Sequence, residues 1–216
     1  MLLIGCFLGI FDQLTGINTA MYYLPKVLVA AGFSSADAIT LNVVTGLAST
    51  IGAGIGIYLV GRLARRHVGI YQETGIVIAL FSLALVFGFG IGPHIDASGA
   101  IGASVPAYLP WMVLGLVTLF VFFKQSGTVN WVLVSEIFPA RIRGTAQGVA
   151  VGAGWIMNAV VTFAFPVMIA YLGPAWTFAA FGTFNVFALL FYLFIVPETK
   201  HLSLEQVEQQ LRARFG

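Results

Sequence analysis

Charge is the scarcest ingredient of this sequence. Charged side chains make up 8% of its 216 residues, against roughly 25% in an ordinary soluble domain. So few charges cannot cover a water-facing surface, which excludes a soluble globular fold. A single cysteine, Cys6, excludes an internal disulfide. The only histidines, His67, His94 and His201, fall in loop-like positions without ligand spacing, so no metal is expected. No Ser/His/Asp or Cys/His grouping suggests hydrolysis, and neither an enzyme activity nor a cofactor is expected. The net charge of +2 is too small to point to nucleic acid. The apolar stretch after Met1 lacks the basic flank of a signal peptide and runs on into polar residues, so it is read as a span.

Apolar residues, by contrast, make up 59% of the chain, and its mean hydropathy is +0.97. A bilayer-spanning helix needs about 20 mostly apolar residues. Six segments qualify, near Leu2–Ala30, Ala36–Val60, Val68–Ile91, Tyr108–Val134, Gly144–Leu172 and Ala175–Val196. Their long unbroken runs predict helices, because barrel strands alternate at period two. The fold class expected is therefore an all-α polytopic membrane protein. Residues 92–107, rich in Gly, Ser and Pro, read as an exposed loop. After Pro197, Leu204, Val207, Leu211 and Phe215 recur at helical spacing among charges and glutamines. Residues 1–197 are thus read as a six-helix membrane domain and 198–216 as an amphipathic tail on the membrane surface.

Lysine and arginine placement sets orientation. Arg62, Arg65 and Arg66 follow span two, Arg141 and Arg143 follow span four, and Lys200, Arg212 and Arg214 follow span six. All fall on one side, which predicts cytoplasmic termini. Lys26 falls on the other side, and Lys124 inside span four.

The spans form two triplets of inverted topology. The lead span of each is interrupted by polar residues and glycine, at Thr15-Gly16-Ile17-Asn18 and at Lys124-Gln125-Ser126-Gly127-Thr128-Val129-Asn130-Trp131. Glycine alone would be read as close helix packing, as it is at Gly52-Ala53-Gly54-Ile55-Gly56 and at Gly148 and Gly152. Paired interruptions in corresponding spans instead point to a binding site at the midplane of a secondary transporter. Polar groups are costly within a bilayer, so Asp12, Gln13, Asn18, Tyr22 and Tyr23 are functional candidates.

Four motifs in order resemble the carboxy-terminal six-helix half of a sugar porter in the major facilitator superfamily. Gln13-Leu14-Thr15-Gly16-Ile17-Asn18 with Tyr22-Tyr23 resembles the helix-seven signature, and Gly61-Arg62-Leu63-Ala64-Arg65-Arg66 resembles the loop between helices eight and nine. Trp131 through Ser135-Glu136-Ile137-Phe138-Pro139, with Arg143-Gly144, resembles the end of helix ten. Pro197-Glu198-Thr199-Lys200 resembles the close of helix twelve. The resemblance covers the whole chain. It departs at Asp12, where the family has a second glutamine. It departs also at Gly61, Ala64, Thr128 and His201, and at Gly154, which stands where a sugar-contacting amide is common.

The resemblance implies transport of a hexose or pentose by alternating access, either coupled to protons or by facilitated diffusion, with this chain supplying one half. Sugars offer hydroxyls on their edges and C–H groups on their faces. Amides donate and accept, which suits Gln13 and Asn18 to the edge, and Trp131, Trp155, Tyr22 and Tyr23 suit the face. Gly127 belongs to the same site. Asp12 and Lys124 either form a pair across the cavity or stand apart, Lys124 snorkelling and Asp12 in a wet vestibule. Glu136, with Arg62, Arg65, Arg66, Arg143 and Glu198, is expected to form a cytoplasmic latch, which Glu73 could join. The expected partners are a sugar, membrane lipid and an amino-terminal six-helix half. A fragment of a longer protein is the expectation, against a separately encoded half or a degenerate remnant. The competing function is a non-transporting sugar sensor or regulatory half-subunit, or an inactive fragment.

Overall fold

The computed structural model describes residues 1–95, 105–139 and 141–200, together with 202, 206 and 209. Most of the loop expected over 92–107 lies outside them, as do the apolar positions Leu204, Val207, Leu211 and Phe215 of the expected tail helix.

The described residues form an all-helical bundle. The first span is two helices, α1 (Leu2–Leu14) and α2 (Ile17–Val29). Next come α3 (Ser35–Arg62) and α4 (Arg65–Leu85). A π-helical turn, Val86–Ile91, extends α4. The fourth span is again two helices, α5 (Tyr108–Ser126) and α6 (Val129–Glu136). The final helix, α7 (Arg143–Phe194), is 52 residues long. It is two spans joined at Gly173, whose φ of 76° and ψ of 167° are not helical. That combination is essentially open to glycine alone, and Pro174 follows without an N–H to continue the ladder. Six spans result, with breaks in both lead spans where the polar interruptions fall.

Local chemistry sets several ends. Ser34 caps α3, accepting from the Asp37 N–H at 3.1 Å and donating to Asp37 Oδ2 at 2.6 Å. The long helix α3 packs along α5. Gly52 and Gly56 lie on that seam, where an added Cβ would meet the backbone oxygens of Phe122 and Gln125 at 2.8 Å. Gly148 and Gly152 differ from expectation. Each faces open space, so no described residue packs against them.

The core is divided by depth. One apolar cluster gathers Ile17 and Leu24 with Ile76, Leu83, Val117, Phe120, Phe165 and Phe181. A second gathers Ile4 and Leu8 with Val68, Val129, Leu133, Ala150 and Tyr192. Along each inner helix the buried polar residues fall between these clusters. Asp12 and Gln13 lie between Leu8 and Ile17, Gln72 and Glu73 between Val68 and Ile76, and Lys124 between Val121 and Val129. Asn185 lies between Phe181 and Phe191. The bundle thus carries a polar layer at mid-depth, sealed by apolar packing on both sides.

Candidate functional site

The site begins at the first helix break. Gly16 takes φ 78°, a left-handed conformation that side chains other than glycine's rarely adopt. The ring of Phe181 lies 3.0 Å from where a Cβ would stand. The Thr15 hydroxyl donates to the Asp12 carbonyl at 2.7 Å, satisfying one acceptor that the broken helix leaves free. The break rotates α2 relative to α1. Gln13 and Asn18, out of phase on one ideal helix, meet as Asn18 Nδ2 donates to Gln13 Oε1 at 2.8 Å.

The same Asn18 Nδ2 donates to Asn158 Oδ1 of α7 at 3.0 Å. Asn158 was not among the residues expected from the sequence. It stands one turn beyond Gly154, the position where an amide was sought. Gly154 is instead a helix crossing, with the Gly9 carbonyl oxygen 3.1 Å from its would-be Cβ.

From Gln13 the row runs inward. Gln13 Nε2 donates to Asp12 Oδ2 at 3.1 Å. Asp12 Oδ1 accepts from Lys124 Nζ at 2.5 Å and from Asn130 Nδ2 at 2.6 Å. The Tyr192 hydroxyl donates to Asn130 Oδ1. Asp12 and Lys124 are 4% and 6% exposed, so the two charges that left alternatives open in the sequence form a buried ion pair between the two lead spans. Three donors converge on the Asp12 carboxylate, the arrangement that a buried anion requires.

The second break supplies its share. Gly127 packs against Gln72 of α4, whose side-chain atoms, Oε1 among them, occupy the space a Cβ would need. Gly127 is therefore the point where α4 reaches the broken helix, and not a wall of open space. Neither Gln72 nor Asn130 was singled out in the sequence. An amide inside an apolar run is the signal that both carried.

The expected aromatic contacts divide. Tyr22, Trp131 and Trp155 are 59%, 45% and 57% exposed, and none makes a hydrogen bond or ring contact among the described residues. Tyr23 turns away from the amides. Its ring lies 5.4 Å from that of Phe165, and Lys26 Nζ sits 5.3 Å from its centroid. It helps line a cavity of about 230 Å³ with Val27, Phe87, Ile169 and Phe178, which is too apolar to recognise a sugar's hydroxyl edge.

The charges at the basic end of the bundle form a staple. Arg65 Nη2 pairs with Glu136 Oε1 at 3.3 Å, and Thr199 donates to Glu136 Oε2. Glu198 accepts from the Arg65 and Arg66 N–H groups at 2.9 and 3.1 Å. It thereby caps α4, whose N-cap Ala64 offers no side-chain acceptor. Arg66 donates to the carbonyls of Tyr192, at 3.0 Å, and Leu193, closing the far end of α7. Arg62 stands apart, exposed, 5.5 Å from the Tyr58 ring centroid. Arg143 donates to the Phe138 carbonyl at 3.3 Å, and its Nη2 has no partner among the described residues. Glu73 does not reach the staple. It is buried in the polar layer, within electrostatic reach of Lys124 and Asp12.

Comparison with known proteins extends this picture. The profile of the family described as "Sugar (and other) transporter" matches residues 1–211. The putative metabolite transport protein YncC of Bacillus subtilis is 38% identical over 99% of this chain and 43% of its own length. The major myo-inositol transporter IolT of the same organism is 36% identical over 97% of this chain and 42% of its own. Among solved structures, the proton:xylose symporter XylE, from E. coli, bound to 6-bromo-6-deoxy-D-glucose, superposes with a TM-score of 0.78. It is 30% identical, and the match covers 97% of this chain and 42% of XylE. The chain therefore spans less than half the length of the proteins it matches.

Proposed function

The chain belongs to the sugar transporter family, and from that premise we propose that it is the carboxy-terminal half of a membrane sugar carrier working by alternating access. The observation that carries this reading is the row of amides at the broken lead helix, Gln13, Asn18 and Asn158, linked by bonds of 2.8 and 3.0 Å. A sugar's hydroxyls exchange with such bonds at little cost, because each amide offers both donor and acceptor. Tyr22, Trp131 and Trp155, exposed within this chain, supply the apolar surface for the sugar's C–H face. Tyr23 stands behind them as packing. Gly127 acts by admitting Gln72, and Asp12 holds the charge beneath the cradle. The printed substrates of the relatives, xylose and myo-inositol, are polyhydroxylated rings that such a cradle suits, and proton coupling comes with the reading.

Orientation follows the positive-inside rule. The end bearing Arg62, Arg65, Arg66 and Arg143 is cytoplasmic, in a plasma or bacterial inner membrane, with both termini on that side. Residues 1–197 are the half-domain and 198–216 its cytoplasmic tail. The Arg65–Glu136–Glu198 staple holds three helix ends as one body, so that this half rocks rigidly against an amino-terminal half. That partner completes the cavity.

The test is sugar uptake by vesicles holding this chain with a matching amino-terminal half. Uptake is expected with both halves, and Asn18→Ala is expected to lower it by tenfold or more, on the order of the 1–3 kcal/mol that an unpaired buried polar group costs. Uptake indifferent to Asn18→Ala and to Trp131→Ala overturns the site.

A further inference from the structure

The polar layer holds a charge imbalance that the sugar cradle does not use. Two carboxylates, Asp12 and Glu73, share it with one ammonium, Lys124, and all three are at most 6% exposed. The hydroxyl of Tyr192 lies among them, within the field of both carboxylates. The two acids are served very differently. Asp12 accepts from Lys124, Asn130 and Gln13. Glu73 receives one amide hydrogen, from Gln72 Nε2 to Oε1 at 3.1 Å. Its Oε2 is buried with no donor among the described residues, and the Oε1 of the same Gln72 is likewise buried without a donor.

A buried anion with an empty oxygen is unstable in a low-dielectric layer, whereas a neutral acid is tolerated if its hydroxyl finds an acceptor. A hydrogen on Glu73 Oε2 removes the excess negative charge. It also turns an unserved acceptor into a donor, in a layer where the Gln72 amide oxygen lacks one.

We propose that Glu73 is a proton-binding site of this half-domain, carrying one proton as a neutral acid while Lys124 is paired with Asp12. The proton is delivered by hydronium of the aqueous phase, whose O–H bond breaks to leave water as the Oε2–H bond forms. When Lys124 moves from Asp12 to Glu73, the acid gives up its proton and Asp12 takes one in its place, or the layer exports it. The layer joins the cradle through Asp12 Oδ2, which accepts from Gln13, whose Oε1 is held by Asn18. A sugar that pulls Gln13 away removes a donor from Asp12 and weakens its hold on charge. That coupling step rests on the sugar-site reading above. The protonation of Glu73 does not.

Infrared spectroscopy of the 216-residue protein in detergent at neutral pH tests it, because a carboxylic acid has a carbonyl stretch that a carboxylate lacks and that shifts in D₂O. One acid band is expected in the wild type. Glu73→Gln removes it and, as a neutral near-isostere of the acid, keeps the wild-type melting temperature. Asp12→Asn also removes it, because Lys124 is then free to neutralise Glu73. Lys124→Met roughly doubles it. A wild type without an acid band, a band that survives Glu73→Gln, or a Glu73→Gln protein that does not fold overturns the proposal. Sugar binding measured by calorimetry on the protein assembled with a matching amino-terminal half separates the two readings. An intact band without binding sinks the cradle alone, and intact binding without the band sinks the proton site alone.

Discussion

At the scale of single residues, the Asp12–Lys124 pair decides most. Its 2.5 Å contact is buried between α1 and α5, where removing one partner strands the other. Breaking such a pair costs about 3–5 kcal/mol. Lys124→Met leaves two acids without an ammonium and should lower the melting temperature the most. Asp12→Asn should cost less, since the freed lysine still shares the buried layer with the Glu73 carboxyl. Adding Asp12→Asn to Lys124→Met should restore part of the loss, and a double variant no more stable than Lys124→Met would refute the pair. Asp12 and Lys124 were visible in the sequence as charges in apolar spans. Their partnership stood there only as one of two alternatives, and the placement of Glu73, Asn130 and Asn158 was not visible. In a membrane the face of a helix that meets lipid is as apolar as the face that meets another helix, so hydropathy reveals depth and conceals rotation. Depth was legible for every one of these side chains. Which neighbour each faced depended on rotation about the helix axis.

At the scale of elements, the breaks were the legible part. Glycine flanked by polar side chains in both lead spans marked Gly16 and Gly127, because such residues leave backbone groups that only local partners can satisfy. The join at Gly173 was readable as a boundary between spans. Its geometry was not, because α7 passes through it without a loop. That geometry gives a clean test. Nothing lies within 4 Å of a Cβ added at Gly173, so Gly173→Ala can act only through its φ of 76°. The expected loss is about 1–3 kcal/mol, read as a lower melting temperature in detergent, and an unchanged value would mean that the chain turns there by another route. The staple makes a second prediction at this scale. Glu198 serves two N–H groups at the start of α4, the role of a capping side chain. Glu198→Gln should cost about 0.5–2 kcal/mol, while Arg62→Gln, outside the staple, should cost nothing measurable. The four motifs of the sequence located these charges at one end of the bundle. They could not separate Arg65 and Arg66, which bind carboxylate and carbonyls, from Arg62 and Arg143, which do not meet a carboxylate among the described residues.

At the scale of the whole molecule, the question is which exposed apolar surface meets lipid and which meets a second half. The four tryptophans are reporters already in place. Trp111 and Trp176, 59% and 72% exposed, stand near the ends of their spans, where tryptophan is enriched at the membrane–water interface. Trp131 and Trp155, beside the second break and the Asn158 amide, stand at mid-depth, where the proposed cavity lies. Span hydropathy does not distinguish the two pairs, since all four sit in apolar runs. The amide row does, because a hydrogen-bonding surface at mid-depth is costly against hydrocarbon and inexpensive against a wet cavity. In variants that keep one tryptophan each, brominated lipid should quench Trp111 and Trp176 whether or not an amino-terminal half is present. A water-soluble quencher should reach Trp131 and Trp155 in the assembled carrier, and saturating sugar should shield both. Quenching of Trp131 and Trp155 by lipid in the assembled carrier would place the amide row against the bilayer, and the cavity would have to be sought on another face of the bundle.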